Sequence, residues 1–402
     1  MASLTQNENA CLERIDAAAM LARTLEWAAI NSGTGNIAGL ARMADALAGA
    51  FAVLPGDIVL VEPEPVEAMD ADGNLRALAH GRHFRLTVRP QAPVQMLFTG
   101  HMDTVYAVDH PFQQCRWTGE GMLNGPGVAD MKGGLSLLLA ALEAVEADPL
   151  AARLGYDVLI NADEETGSAS SRALIREVAR GKVAALTYEP ALPDGTLAGA
   201  RAGSGNFSIR VTGRSAHAGR NPDEGRNAIV AAADIAVRLK AASGGTLSCN
   251  PARIEGGGPN NVVPDHAILR VNFRPHAPRD EARAKVLIED VMAAARTEHE
   301  VEITLHGEFG RPPKPIDAGA ARLFALVAQQ GATLGLDIGW RTTGGVCDGN
   351  NIAACGVPVV DTMGARGGAI HSGEEYLIVE SLEERAKLSA LTILAIAERG
   401  AP

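Results

Sequence analysis

Cysteine, aromatic residues and long apolar runs are all scarce in this chain, and each shortage excludes something. Cysteine occurs five times in 402 residues (Cys11, Cys115, Cys249, Cys347, Cys355), an odd number with no CxxC spacing. That argues against a disulfide framework and against a four-thiolate zinc site, so the cysteines read as reduced and mostly buried. Aromatic residues make up 4% of the chain, apolar residues an ordinary 47%, and no apolar run approaches the length of a membrane span. No transmembrane helix is expected. Positive charge is also in deficit: the net charge is −12 and no dense Lys/Arg stretch occurs, which disfavours nucleic acid as a partner. Met1 to Arg14 carries Glu8, Glu13 and asparagines where a signal peptide needs a basic and then an apolar stretch, so a cytoplasmic location is expected. No internal repeat or low-complexity segment stands out.

What remains is long enough for two or three domains. A helix is expected over Asn9 to Ile30. The turn Asn31-Ser32-Gly33-Thr34-Gly35 supplies caps for a second helix over Ile37 to Phe51. Strands follow at His83 to Arg89 and Val94 to Thr99, then a long loop from Val108 to Val128 and a helix from Asp130 to Val145. A strand at Tyr156 to Ala162, a helix at Ser170 to Ala179 and a strand at Ala184 to Tyr188 complete an alternating pattern that means an α/β layer with a mainly parallel sheet.

From Gly205 the rhythm becomes β-α-β-β-α-β, with strands at Asn206 to Val211, Thr246 to Ile254, Ala267 to Phe273 and Val301 to His306. Helices at Asn227 to Ala242 and Arg279 to Arg296 fill the gaps. This is the ferredoxin-like plan of a small inserted domain. The segment Arg311-Pro312-Pro313-Lys314-Pro315 marks the return to the first domain, where two helices bracket a strand at Val357 to Thr362. The expected division is 1–202 and 314–402 for a two-part catalytic domain, with 203–313 inserted.

Chemistry gathers at the predicted strand ends. His101 and Asp103 end one strand, Glu164 and Glu165 the next and Glu189 a third; His371 follows a fourth, and Asp130 opens a helix. In open α/β sheets ligands bind outside the carboxyl ends of strands, so these residues converge on one crevice. Residues i and i+2 of an extended segment share a side, which pairs His101 with Asp103 as a metal ligand and its orienting partner. Carboxylates brought this close repel one another and call for a cation. Carboxylates and imidazoles without thiolates suit a divalent metal, zinc foremost, and the candidate ligands outnumber those of one tetrahedral ion. Two Zn²⁺ against Asp130, Glu165, Glu189 and one hydroxide sum to neutral. Glu164 and Glu165, adjacent off a strand end, point in different directions, so one can bind metal while the other does general acid-base work.

These motifs resemble the M20 metallopeptidase family, most closely its glutamate carboxypeptidase (carboxypeptidase G2-like) branch. The resemblance rests on Gly100-His101-Met102-Asp103-Thr104-Val105, Gly125-Pro126-Gly127-Val128-Ala129-Asp130-Met131-Lys132-Gly133-Gly134, Asn161-Ala162-Asp163-Glu164-Glu165-Thr166-Gly167 and Tyr188-Glu189-Pro190. It continues through Ser215-Ala216-His217-Ala218-Gly219 and Asn260-Asn261-Val262-Val263-Pro264 to Ala369-Ile370-His371-Ser372, and Asn31-Ser32-Gly33-Thr34-Gly35 resembles the same branch. The resemblance implies a zinc-exopeptidase-like α/β catalytic domain and two zinc ions, with Co²⁺ or Mn²⁺ as alternatives. His101 and Glu189 would complete one site, Glu165 and His371 the other, and Asp130 would bridge. Asp103 would orient His101, and Glu164 would be the general base. His217 would act on the carbonyl of the partner subunit's substrate, which makes a homodimer through the inserted domain necessary.

Residue chemistry adds substrate contacts. Asn261 can donate to an oxyanion, while Arg274 and Arg311 are candidate forks for a substrate carboxylate. Arg220 and Arg226 read as surface or structural, and His80, His83, His110, His266, His276, His299 and His306 are not expected to ligate. Cys347, in Gly344-Gly345-Val346-Cys347-Asp348-Gly349-Asn350, stands where many relatives carry Ser or Thr, and a cysteine nucleophile would lack a base partner. The expected substrate is a small peptide or N-acyl amino acid, cleaved next to a free carboxylate to release a residue such as glutamate. An N-acyl-amino-acid deacylase (acetylornithine deacetylase-like or succinyl-diaminopimelate desuccinylase-like) or a dipeptidase is the alternative. A non-catalytic metal- or peptide-binding protein on the same fold is the alternative from a different class.

Overall fold

Apolar side chains on both faces of a strand require cover on both faces, and the central sheet of this protein is built that way. The computed structural model describes residues 4–402. Six strands lie in the order Asp57–Val61, His83–Val88, Leu154–Asn161, Val94–His101, Ala184–Thr187 and Val359–Val360. The last four run parallel to one another; His83–Val88 is antiparallel to both of its neighbours. Every residue of Leu154–Asn161 is buried. On Val94–His101 the faces separate cleanly, with Met96 and Phe98 in the larger core and Leu97 in a smaller one opposite. Helices Ala17–Ala28, Gly133–Glu146 and Glu380–Arg399 supply the larger core, and Arg172–Ala179 and Asp348–Ala353 cover the other face.

Several expected boundaries shift for identifiable reasons. The single helix expected over Asn9 to Ile30 is two, Gln6–Leu12 and Ala17–Ala28, because the Asp16 carboxylate accepts the N–H groups of Ala18 and Ala19 and starts the second. Helix Ile37–Phe51 is capped by Asn36, which accepts the Gly39 N–H, rather than by the Ser/Thr turn before it. The expected Val108–Val128 loop contains the short strands Arg116–Gly119 and Met122–Asn124, which join Tyr376–Ile378 and Gly367–Gly368 in a small sheet. Asp130 does not open a helix: its φ of −115° and ψ of 86° are extended, and regular helix begins at Gly133.

The β-α-β-β-α-β run forms a separate antiparallel sheet in the order Leu247–Gly256, His266–Pro275, Ser204–Thr212, Glu302–Arg311. Helices Ala228–Ala241 and Pro278–His299 cover one face with a hydrophobic cluster of its own, including Phe207, Ile209, Leu269 and Ile288. This is the ferredoxin-like order. At its root Arg201 and Lys314 exchange backbone hydrogen bonds, so the chain leaves and returns at neighbouring points. A hairpin, Val66–Met69 with Leu75–Leu78, reaches from the other part of the molecule to the uncovered face of this sheet.

Candidate active site

Parallel strands deliver their carboxyl ends to one edge, and the side chains collected there are polar. His101 closes Val94–His101 beside Asn161, the turn Glu164–Thr166 follows Leu154–Asn161, and Glu189 follows Ala184–Thr187. His101 Nε2 lies 3.0 Å from Asp130 Oδ1 and 3.8 Å from Glu189 Oε2. His371 Nε2 lies 3.3 Å from Asp130 Oδ2 and 3.1 Å from Glu165 Oε2. Asp130 therefore stands between two imidazoles, one carboxylate oxygen toward each. Donor atoms of His101, Glu164 and Glu189, and again of His101, Asp130 and Glu165, fall within 4.8 Å of one another. His371 is held with φ +62°, in the left-handed region that side-chain-bearing residues seldom adopt.

The electrostatics match a site made for cations. Burial raises the Glu164, Glu165 and Glu189 carboxyls above the usual range, and neighbouring carboxylates add to the effect. His371 rises to about 10 through its contacts with Asp130 and Glu165. Asp130 falls below the usual carboxylate range: burial opposes this, and the two imidazoles overcome it. A set of oxygen and imidazole donors, buried except for the half-exposed His371 at its rim, fits a pair of divalent metals.

The support around this set was only partly expected. The ring of His101 places Nδ1 3.0 Å from the main-chain carbonyl of Asp103 and 3.5 Å from its carboxylate. An Nδ1–H donated to that carbonyl leaves the Nε2 lone pair facing Asp130 and Glu189. The Asp103 carboxylate instead accepts the N–H groups of Glu164 and Glu165 at 3.1 Å each and the Thr34 hydroxyl at 2.7 Å, which fixes the turn carrying both glutamates. Glu375 does the same for Asp130: buried, it accepts the N–H groups of Gly127, Ala129 and Asp130 and the Tyr106 hydroxyl. The one sequence signal for Glu375 is its position four residues after His371.

Arg311 is no free fork. Its guanidinium is buried 2.6 Å from Glu164 Oε1 and 3.5 Å from Asp348, and it donates to the Glu164 carbonyl and the Ser168 hydroxyl. Arg274 is half-buried on the wall of a cavity of about 1260 Å³ that Glu164, Glu165 and His371 also line. Arg274 Nε donates to Asn272 Oδ1 at 2.8 Å, and the Asn272 amide is itself held by Asn206 and Ser204. Among the described residues no carboxylate pairs with Arg274. Asn272 carries no signal in the sequence beyond lying two residues before it.

His217 and Asn261 are exposed and do not line that cavity. They sit together where two loops meet in an antiparallel bridge: the Asn261 carbonyl accepts the Ala218 N–H, and His217 Nδ1 accepts those of Gly219 and Arg220. Cys347 is buried against Asp361, and burial pushes its thiol well above the usual value, so it offers no nucleophile. Asp361 also pairs with Arg201 at 2.7 Å and Lys314 at 2.9 Å, a charge cluster that spacing along the chain does not reveal.

Imidazoles and carboxylates converging at the carboxyl ends of a parallel sheet, above a cavity with an unpaired arginine, define a metallohydrolase. Known proteins agree. Residues 97–395 match the description of peptidase family M20/M25/M40. The chain is 31% identical over 315 residues to carboxypeptidase G2 of Pseudomonas sp. (strain RS-16), covering 74% of this chain and 73% of that protein. It is 28% identical over 323 residues to succinyl-diaminopimelate desuccinylase of Nitrosococcus oceani, covering 73% and 82%. A tripeptidase from Staphylococcus aureus shares the fold at a TM-score of 0.74 and 24% identity, over 96% of this chain and 99% of that one. Human carnosine dipeptidase 1 does so at 0.67 and 17%, over 97% and 100%. The chain belongs to peptidase family M20, as one of its metallo-exopeptidases and amidohydrolases.

Among the described residues, no helix is long and apolar enough to cross a membrane.

Proposed function

We propose that this protein is a dinuclear zinc-dependent hydrolase that cleaves an amide bond adjacent to a free carboxylate, releasing a C-terminal amino acid such as glutamate from peptidyl or N-acyl conjugates. The observation that carries the reading is Asp130 between His101 and His371, with Glu164 beside them and Arg274 unpaired on the shared cavity wall. His101, Asp130 and Glu189 would hold one Zn²⁺ and Asp130, Glu165 and His371 the other, with Co²⁺ or Mn²⁺ as alternatives. Bound there, the metals supply Lewis acidity toward the scissile carbonyl and acidify the attacking water.

The side chains do the rest. Glu164, whose burial raises its proton affinity, takes a proton from the attacking water and delivers it to the departing amine. The ion pair with Arg311 and the two backbone N–H groups held by Asp103 fix where Glu164 points. Arg274, its Nε occupied by Asn272, offers its remaining N–H groups as a fork to the free carboxylate. His217 accepts at Nδ1, so its neutral ring carries the proton on Nε2 and serves as a donor. With Asn261 it would stabilise the oxyanion in the active site of a second subunit of a homodimer formed through the inserted domain, residues 203–313.

A metal-reconstituted assay of amino-acid release tests this, using peptidyl and N-acyl conjugates that differ in C-terminal residue. Release from conjugates with a free carboxylate, and none from their amides, is expected. No release from any of them would overturn the reading. Likeness to succinyl-diaminopimelate desuccinylase supports a deacylase as the second reading, in which short acyl groups are preferred over peptidyl ones. A cytoplasmic location accords with the acidic, cysteine-poor chain.

A further inference from the structure

The candidate metal ligands are not all anchored in the same way. His101 and Glu189 stand at or just past the ends of buried parallel strands, and the turn bearing Glu165 is fixed by Asp103. Asp130 and His371 have no such footing. Asp130 has non-helical backbone just ahead of helix Gly133–Glu146. His371 belongs to an exposed run, residues 369–374, in which Ala369 and His371 both take left-handed backbone, at φ +52° and +62°. Glu375 is the first buried residue after that run.

Glu375 touches both segments. Its Oε1 accepts the N–H groups of Ala129 at 3.0 Å and Asp130 at 3.1 Å, and its Oε2 accepts that of Gly127 at 3.2 Å. Oε2 also lies 2.7 Å from the Tyr106 hydroxyl, whose second neighbour is the Ser372 carbonyl at 2.8 Å. The phenol, its one proton between two acceptors, thus ties the carboxylate to the residue that follows His371. The Glu375 main chain is held as well: its carbonyl accepts the Asn124 side-chain amide at 2.6 Å, and the same amide reaches the Gly373 carbonyl at 3.2 Å. Only a carboxylate suits three converging N–H groups, because both of its oxygens accept and neither carries a hydrogen that would face a donor. One buried side chain therefore sets the backbone of Asp130 against the run that carries His371.

We propose that Glu375 is a positioning residue for the metal held by Asp130, Glu165 and His371, two of whose three ligands depend on it. The metal held by His101, Asp130 and Glu189 depends on it far less, since two of those ligands rest on the sheet. The inference rests on the dinuclear reading above. Its test follows zinc release from full-length, metal-loaded protein as a chelator is added. The wild type is expected to give up two Zn²⁺ per chain in two steps, and the step missing from His371→Ala is the one that belongs to His371. Glu375→Gln, whose amide turns hydrogens toward donors that a carboxylate oxygen had accepted, is expected to weaken that step by about ten- to a hundredfold and the other by less than about twofold. Tyr106→Phe removes only the phenol link, and should Glu375→Gln fail to fold it is read in the same way, with a weakening of about threefold or more. An unchanged His371 step in a folded variant overturns the proposal. Equal weakening of both steps overturns it too, since that marks Glu375 as general support for the fold. A wild type that holds fewer than two Zn²⁺ overturns the dinuclear reading itself, and the proposal with it.

Discussion

Glu164 and Glu165 are chemically identical neighbours with different surroundings. Glu165 faces His371, whereas Glu164 faces Arg311 and the cavity. The pairing predicts a separation of roles. Glu164→Gln should lower kcat by about 10² to 10⁴, the usual contribution of a positioned acid-base group, while bound metal measured by atomic absorption stays at the wild-type level. Parallel loss of metal would make Glu164 a ligand instead. At this scale the convergence of His101, Asp130, the two glutamates, Glu189 and His371 was readable, because His101 and the three glutamates stand at or just beyond the ends of buried strands. Asn272 and Glu375 were not readable, because each acts through a contact that only the folded backbone creates. Arg311 was legible as a useful residue but not as Glu164's partner, since 147 positions separate the two.

Element by element, periodicity located the long buried strands and the helices against them, because burial on one or both faces writes a repeat into the chain. It missed Arg116–Gly119, which is exposed throughout, and the hairpin strand Leu75–Leu78 for the same reason. It also could not anticipate that backbone donors near Asp130 are taken up by Glu375 in place of a helical turn. One element junction can be tested directly. Asp361, just beyond Val359–Val360, is buried with Arg201 and Lys314. Burial alone would raise its carboxyl, but the two cations hold it below the ordinary value. A folded-state pKa below the unfolded one contributes stability that is complete above the unfolded value and is lost as pH falls through the folded one. Asp361→Asn leaves both cations buried without an anion and should destabilise the protein by about 3–5 kcal/mol, read from urea denaturation at neutral pH. A change within 0.5 kcal/mol, the range of surface substitutions, would remove the cluster from any structural role.

For the molecule as a whole, metal binding and protonation compete. Free of metal, His371 holds its proton up to about 10, and burial keeps Glu165 protonated above the usual carboxylate range. Both must lose protons to act as ligands, so affinity should rise steadily from pH 6 to pH 8 with protons released on binding. Calorimetric titration of the apo protein with Zn²⁺ in buffers of different ionisation enthalpy measures this, and pH-independent affinity would contradict it. The dimer is testable by subunit mixing. If His217 serves the partner's active site, Glu164→Gln and His217→Ala proteins, each inactive alone, should after exchange recover about a quarter of the wild-type rate, since half the dimers are mixed and each has one intact site. No recovery places His217 in its own subunit's site, and a His217→Ala protein that is active alone places it outside the reaction.

The backbone pairing of Arg201 with Lys314 has a consequence of its own. Because the two crossings touch, everything between them is joined to the rest of the chain, covalently, at what amounts to a single point, like a page held by one ring. Such an attachment lets a whole module be gained, exchanged or lost in one genetic event without opening the sheet beneath it. Asp361 pairs with the side chains of both crossings, so the root of the module is fixed by charge as well as by backbone.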